Sequence, residues 1–101
     1  MHPTSRSYQD QLIQDLKNPE EAVAYLNAAL EESDTTLFLK ALRNVAEAHG
    51  MKYLAQEASL NREAMYRMLS DQGNPQLSSL TAILESLGLR LAVEVKDSVA
   101  V

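Results

Sequence analysis

The segment LNREAMYRMLS, residues 60–70, carries the side chains best suited to chemistry with a partner. Arg62 and Arg67 lie five residues apart, and the fork of a guanidinium can donate to both acceptors on the edge of a guanine. Glu63 can accept a hydrogen bond from cytosine, or it can hold Arg67 from the preceding helical turn. Tyr66 can donate to a phosphate or pack beside a base pair. These residue types at this spacing predict contacts to DNA, and the rival interpretation is an ordinary solvated helix face.

Two short helices joined by a tight corner, a helix-turn-helix, would hold these side chains in place. The first helix needs a small residue where the second crosses it, and Ala55 suits that position. The apolar residues of both helices and the corner are predicted to face the core: Leu54, Ala58, Leu60, Met65 and Met68. Asn61 is predicted to cap the second helix, with base reading as its lesser role. Lys52 and the free amides at the start of the first helix are predicted to contact phosphates, while the second helix enters the major groove.

Apolar residues at helical spacing also occupy the N-terminal third of the chain. They predict one helix at residues 8–17 and another at residues 19–32, after a loose tail at residues 1–7. Asn18 is a predicted N-cap, and a proline follows it at the first helical position. The second of these helices is predicted to bury one stripe of apolar residues: Ala22, Val23, Leu26, Ala29 and Leu30.

The pattern of the central and later residues completes a helical domain. A cap at Ser33 or Asp34 begins a longer helix that ends at Gly50, and a last helix follows a loop that contains Gly73 and Pro75. The sequence therefore predicts an all-α fold, a compact domain of five helices. Its predicted divisions are a tail and acidic helical extension at 1–33, a helix-turn-helix DNA-binding domain at 34–88, and a C-terminal strand and tail at 89–101.

The C-terminal segment changes from helical to alternating periodicity. Leu89, Leu91, Val93 and Val95 are separated by single residues, most of them charged, which is the pattern of a half-buried strand. Since the sequence shows no second strand, the predicted ladder partner is the same strand in another copy, in a two-fold dimer. The alternative is a strand-like tail that packs on its own helices or frays.

Charge is distributed unevenly along the chain. The 101 residues include 9 basic and 14 acidic side chains, a net charge of −5, and residues 1–50 hold 8 of the acidic groups against 4 basic ones. The acidic residues predicted to bind a basic protein partner are Glu20, Glu21, Glu31, Glu32 and Asp34. A solvated acidic face is an equal alternative for them. Nucleic-acid binders usually have a basic footprint, so the total charge argues against DNA, and the local pattern must support that prediction.

Composition excludes several other classes. The chain has no cysteine, so disulfides and thiolate metal sites are ruled out. No apolar run approaches the roughly 18 residues that span a bilayer, and the N-terminus lacks the regions of a signal peptide. We therefore expect a soluble cytoplasmic protein. Two histidines in unpromising places and no glycine-rich phosphate loop argue against an enzyme, and we expect no cofactor and no metal.

Four motifs resemble those of a known family: NPEEAVAYLNAALEE, LFLKALRNVAEAHGM, LNREAMYRMLS and GNPQLSSLTAILESLGLRL. They are similar to addiction-module antidote proteins, HigA-like antitoxins with a Cro/repressor-type (XRE) helix-turn-helix. The resemblance runs from about Tyr8 to Val95 and implies a lambda-repressor-like fold. It also implies a homodimeric regulator that represses its own operon, together with a partner toxin of the RelE/ParE class that cleaves messenger RNA or acts on gyrase.

Two positions depart from that family. Ser59 stands at the corner where the family usually has glycine, which implies strain in a left-handed backbone. Gln76 stands where a basic residue is common, which removes a phosphate contact. The function predicted overall is sequence-specific DNA-binding regulation as a type II antitoxin. The alternative is an interaction module that neutralises a basic toxin without reading DNA.

Overall fold

The protein, as a computed structural model, is described for the backbone of residues 4–97 and the side chains of residues 8–97. Within this range the chain forms six helices joined by short connections. In chain order these are α1 (Thr4–Asp15), α2 (Pro19–Glu31), α3 (Thr35–His49), α4 (Met51–Glu57), α5 (Arg62–Met68) and α6 (Leu77–Ser86). The all-α prediction is confirmed, and the predicted count of five helices is wrong.

Capping side chains set where the early helices begin. The Asn18 side chain accepts hydrogen bonds from the backbone amides of Glu20 and Glu21 at 2.8 and 3.2 Å, which satisfies two donors left free at the start of α2. The Asp34 side chain accepts from the Leu37 amide at 3.2 Å at the start of α3. The predicted cap at Asn18 is confirmed, and Asp34 rather than Ser33 caps α3.

Backbone conformations that end a helix explain why the described residues form six separate helices. Ser33, Gly50 and Ser59 have φ angles of 56°, 112° and 57°, which no continuing right-handed helix can contain. Pro19 opens α2, and the loop with Gly73 separates α5 from α6. The first helix begins at Thr4, inside the segment predicted to be a loose tail.

The third helix organises the core. It packs against α1, α2 and α4, and α4 packs in turn against α5 and α6. The largest fully buried side chains come from α3 to α6 and the residue after α5: Leu42, Leu54, Met65, Leu69 and Ile83. Burial of each such side chain stabilises the fold by about 1.5–3 kcal/mol. This core supports the short helices α4 and α5, which are too short to be stable alone.

A hydrogen-bonded chain of polar side chains joins the first three helices. Gln9 on α1 donates from Nε2 to Oδ1 of Asn44 on α3 at 3.1 Å. Asn44 donates in turn from Nδ2 to the hydroxyl oxygen of Tyr25 on α2 at 2.9 Å. Because hydrogen bonds are directional, this chain fixes how α1 and α2 sit on α3 in a way that apolar packing alone would not.

The apolar stripe predicted for α2 is only partly buried. Ala22, Leu26 and Ala29 lie in the core, whereas Val23 and Leu30 are 39% and 52% exposed. The three buried residues centre the contact with α3, and the other two lie at about 80–100° around the helix from Ala22. The stripe is therefore narrower than predicted, and α2 keeps apolar surface beside its acidic residues.

The predicted C-terminal strand is wrong. The segment after α6 has no strand within the described residues, although it has the expected alternation. Leu89 packs against the core, while Leu91, Val93 and Val95 are 45%, 98% and 84% exposed. Alternation specifies which faces a strand would bury, but a strand forms only where its backbone groups find a ladder partner, and the described helices offer none.

Among the described residues, no helix has both the length and the apolar character needed to cross a bilayer.

Candidate nucleic-acid interface

The corner between α4 and α5 is closed by backbone hydrogen bonds. The amide of Leu60 donates to the carbonyl of Ala55 at 2.8 Å, and the amide of Ser59 donates to the carbonyl of Gln56 at 3.2 Å. This pair of bonds is the Schellman motif, in which a left-handed residue reverses the chain just after a helix. Ser59 is that residue, with φ 57°. The left-handed geometry predicted for this serine is confirmed.

Capping and burial together orient α5. The Asn61 side chain accepts from the Ala64 amide at 3.1 Å, so the helix begins where the sequence predicted. Met65 and Leu69, one helical turn apart, have no exposed surface, and Leu60 and Met68 pack partly against the same core. Arg62, Glu63 and Arg67 are consequently directed outward, and Tyr66 lies between the core and the surface.

The predicted DNA-reading side chains occupy this outward side. Arg62, Glu63 and Arg67 are exposed on α5, Tyr66 is half-buried, and Lys52 is exposed near the start of α4. Their exposure makes them available to a partner. In the described structure, Glu63 forms no ion pair with Arg67, so the holding role suggested for Glu63 is not seen in the free chain.

The ring of Tyr66 lies next to a residue, Arg43, that the sequence pattern does not predict at this site. The guanidinium carbon of Arg62 lies 5.9 Å from the ring centroid, and that of Arg43 lies 5.1 Å from it. Both distances are within the range of a cation–π attraction. Arg43 belongs to α3 and is separated from Tyr66 by 23 positions in the sequence, so no local spacing could have revealed the contact.

The loop after α5 depends on Gly73. Its amide donates to the carbonyl of Ser70 at 2.9 Å. A Cβ at this position would lie 2.6 Å from the carbonyl carbon of Met68 and would overlap its carbonyl oxygen. Any other residue would therefore push the loop away from the end of α5.

A second charged surface lies on and beside α2. The acidic residues predicted to bind a protein partner are all exposed: Glu20, Glu21, Glu31, Glu32 and Asp34. No lysine, arginine or histidine occurs within Pro19–Glu31. The α2 surface is therefore anionic, whereas the α5 surface presents two arginines against one glutamate.

The remaining ionisable contacts are modest. His49 at the end of α3 lies 3.3 Å from a carboxylate oxygen of Glu57 at the end of α4, which joins two consecutive helices at the surface. The part of the chain that the structure describes contains no cluster of three or more side chains suited to hold a metal ion.

Comparison with known proteins assigns the sequence of this chain to a family. Residues 8–95 match the family described as "Probable addiction module antidote protein". The chain is also 35% identical over 79 residues to an uncharacterised protein of Haemophilus influenzae strain Rd, an alignment that covers 78% of this chain and 81% of that protein. No solved structure matches the chain. Because the family match spans nearly all of the sequence, the chain belongs to the family of addiction module antidote proteins.

Proposed function

We propose that this protein is a sequence-specific DNA-binding regulator, the antitoxin of a type II toxin–antitoxin module, and that it represses its own operon through α4 and α5. The observation that supports DNA binding is the exposed polar side of α5, held outward by the buried Met65 and Leu69. A helix fixed in this way behind a tight corner can enter the major groove. Membership in the antidote family supports the antitoxin role.

Each outward side chain has a role in this proposal. Arg62 and Arg67 donate to base edges, preferably guanine, and Glu63 accepts from cytosine. Lys52 on α4 contacts a backbone phosphate, and Tyr66 packs at the margin of the groove. Asn61 is engaged with the Ala64 amide, so its part is to fix the start of the reading helix.

The acidic total charge limits how tightly one copy can bind. Each phosphate contact releases counterions, and a chain with a net charge of −5 gains little general attraction to a polyanion. Two copies on half-sites one helical turn apart would double the contacts. We therefore propose that the operator is bound by a homodimer, without assigning the residues that join the copies.

Fluorescence anisotropy tests the reading role. The probes are the DNA upstream of this gene and a scrambled duplex of equal composition, and the variant is Arg62→Gln/Arg67→Gln. We expect the wild type to prefer the upstream DNA and the variant to lose about 30-fold or more of that affinity, since each bidentate contact contributes roughly 1–3 kcal/mol.

The matched control is Lys17→Gln/Arg90→Gln, which removes the same charge at two exposed positions outside α4 and α5. It should retain the preference for upstream DNA. Equal binding of wild type to both duplexes would refute the proposal, and equal losses in the variant and the control would refute the reading role of α5.

A second function, binding of a toxin protein, is favoured by the anionic surface of α2 and by the family. The partner would be a small basic protein, of the RelE/ParE class according to the resemblance. The residues proposed to contact it are Glu20, Glu21, Glu31, Glu32 and Asp34. The exposed Val23 and Leu30, on the side of α2 next to Glu20 and Glu31, would contribute apolar contact, because charge alone gives orientation more than affinity.

Co-expression with the product of the adjacent gene tests this second function. The variant is Glu20→Gln/Glu31→Gln, and the control is Glu85→Gln/Glu94→Gln, which neutralises two exposed acids away from α2. We expect the Kd of the complex to be about tenfold higher for the α2 variant, which corresponds to a loss of about 1.4 kcal/mol of binding free energy. A complex equally stable in both variants would contradict the assignment to α2.

A further inference from the structure

Arg43 joins the outward side of α5 although it lies on a different helix. Its guanidinium carbon is 5.1 Å from the centroid of the Tyr66 ring, closer than that of Arg62 at 5.9 Å. The Tyr66 ring packs partly against the hydrophobic core, so its position is fixed by the fold. The ring therefore holds a cation from α3 beside the start of α5.

Arg43, Tyr66 and Arg62 form a cluster whose two positive charges are only weakly neutralised by acidic side chains of the protein. The nearest acidic partner of Arg43 is Glu47, with 3.9 Å between Nε and a carboxylate oxygen, and both side chains are more than a third exposed. Such a pair is screened by water and contributes little. Among the described residues, Arg62 has no carboxylate within ion-pair distance.

Two guanidiniums held near one ring repel each other, and an anion between or beside them would relieve that repulsion. A cleft of about 430 Å³ is lined by Arg43 and Lys40 together with the carboxylates of Glu47 and Asp71, and Tyr66 is not among its lining residues. In the cleft the two carboxylates offset the two cations, so the cleft offers an anion no net positive charge. The favourable position for one is therefore the Tyr66 side of Arg43, beside the surface proposed to face DNA.

We propose that Arg43 binds a phosphodiester of the DNA backbone next to the groove that α5 enters, with Tyr66 holding the guanidinium in place. This inference rests on the proposed DNA-binding function. A guanidinium suits the role because its planar fork can donate two hydrogen bonds to one phosphate while its face stays against an aromatic ring. Arg43 thereby adds to the interface a contact from α3, outside the helix pair.

Arg43→Gln tests the inference, with Arg90→Gln as the matched control that removes one exposed charge from the C-terminal segment. Affinity for the upstream DNA is measured by anisotropy from about 50 to 200 mM salt. We expect Arg43→Gln to bind about tenfold more weakly and to lower the salt slope by about 0.9 for each copy bound. The ratio of affinities for upstream and scrambled DNA should remain unchanged, because a phosphate contact carries no sequence information.

Three further variants separate charge from the ring. Arg43→Lys keeps the charge, so it should retain the salt slope while losing part of the affinity. Tyr66→Phe keeps the ring and should bind nearly as the wild type does, whereas Tyr66→Leu should weaken binding toward the level of Arg43→Gln. In the Tyr66→Leu background, Arg43→Gln should then have a smaller effect than in the wild type.

These measurements separate a failure of the phosphate role of Arg43 from a failure of the proposed DNA-binding function. If the wild type prefers its upstream DNA but Arg43→Gln matches Arg90→Gln in affinity and slope, the phosphate role of Arg43 is wrong and the proposed function stands. A loss of affinity with an unchanged salt slope would also overturn it, since a merely structural role leaves the number of phosphate contacts intact. If the wild type ignores DNA sequence, the proposed function fails and this inference fails with it.

Discussion

The second helix and the α4–α5 pair have the same types of capping residue and left-handed residue, but their exposed side chains carry opposite charge. An asparagine side chain caps the start of α2 at Asn18 and the start of α5 at Asn61. A serine in the left-handed region follows α2 at Ser33 and α4 at Ser59. The difference lies in the outward side chains, which are anionic on α2 and include two arginines on α5.

Helix placement and surface chemistry are therefore encoded by different residues in this protein. Capping and left-handed residues determine where α2 and α5 begin and where α2 and α4 end, while the outward positions are free to differ in charge. One core can therefore support two surfaces of opposite sign, which are the surfaces proposed to face a basic protein and DNA. We therefore expect that the α2 surface and the α4–α5 surface can be altered separately.

The largest effect is expected for Gly73→Ala, which acts on the α5 side. The added Cβ overlaps backbone atoms of Met68, so the loop and the end of α5 must separate, and we expect the free energy of unfolding to fall by about 3 kcal/mol. Urea denaturation measures this change. At urea concentrations below its unfolding midpoint, the variant should bind DNA more weakly than the wild type while it still forms a complex with the toxin.

Gly88→Ala is the control for that variant. Gly88 has a φ of 80°, but a Cβ there would meet nothing within 4 Å, so only backbone strain is added, of about 1 kcal/mol. Equal losses of stability from the two substitutions would show that contact with the end of α5 does not matter.

A smaller effect, near 2 kcal/mol in binding, is expected when the charge of α2 is reversed. Glu20→Lys/Glu31→Lys changes the net charge from −5 to −1, because each substitution adds two positive charges to the total. We expect toxin binding to fall by about 30-fold and non-specific DNA binding to rise, with a steeper salt dependence. Titration calorimetry and anisotropy measure the two. An unchanged toxin affinity would contradict the assignment of toxin binding to α2.

The two capping asparagines should contribute about 1 kcal/mol each to stability. Asn18→Ala and Asn61→Ala both remove a side-chain acceptor at a helix start, and thermal unfolding should shift downward by a similar amount. Only Asn61→Ala should also reduce DNA affinity, since it loosens the helix that carries Arg62. Aspartate at either position keeps the cap and should restore stability. A DNA defect of equal size in Asn18→Ala would contradict separate roles.

The smallest effect is a gain of about 0.5 kcal/mol from Ser59→Gly or Ser33→Gly. Glycine relieves the left-handed strain at φ 57° or 56°, and part of the gain is offset by its greater freedom in the unfolded chain. Calorimetry should show each unfolding midpoint raised by about 2–4 °C. A lower midpoint for Ser59→Gly would mean that the serine side chain stabilises the corner, against the strain argument.

Local features of this molecule were the most predictable from sequence. The caps at Asn18 and Asn61 and the burial of Leu54 and Met65 follow from patterns within a few residues, and the structure agrees with them. The left-handed backbone at Ser59 was also expected. Each of these features depends on neighbours in the chain, which is the information that a sequence displays directly.

Features that depend on distant neighbours were less predictable. The alternation from Leu89 to Val95 could specify a strand's faces but could not supply a ladder partner, so the predicted strand is wrong. The exposure of Val23 and Leu30 depends on how narrow the contact between α2 and α3 is. The position of Arg43 beside Tyr66 depends on the packing of α3 near α5, which the sequence does not display. The assignment of residues to DNA, toxin and dimer contacts stays a prediction, since it concerns partners.

The central position of α3 has a consequence for how rapidly the protein reaches its native state. The helices of this protein pack mainly against helices that are consecutive or nearly consecutive in the sequence: α2 against α3, α3 against α4, and α4 against α5. Contacts of this kind close short loops and cost little chain entropy before they form. Packing of this kind gives a low contact order, so we expect refolding in the microsecond to millisecond range typical of small helical domains.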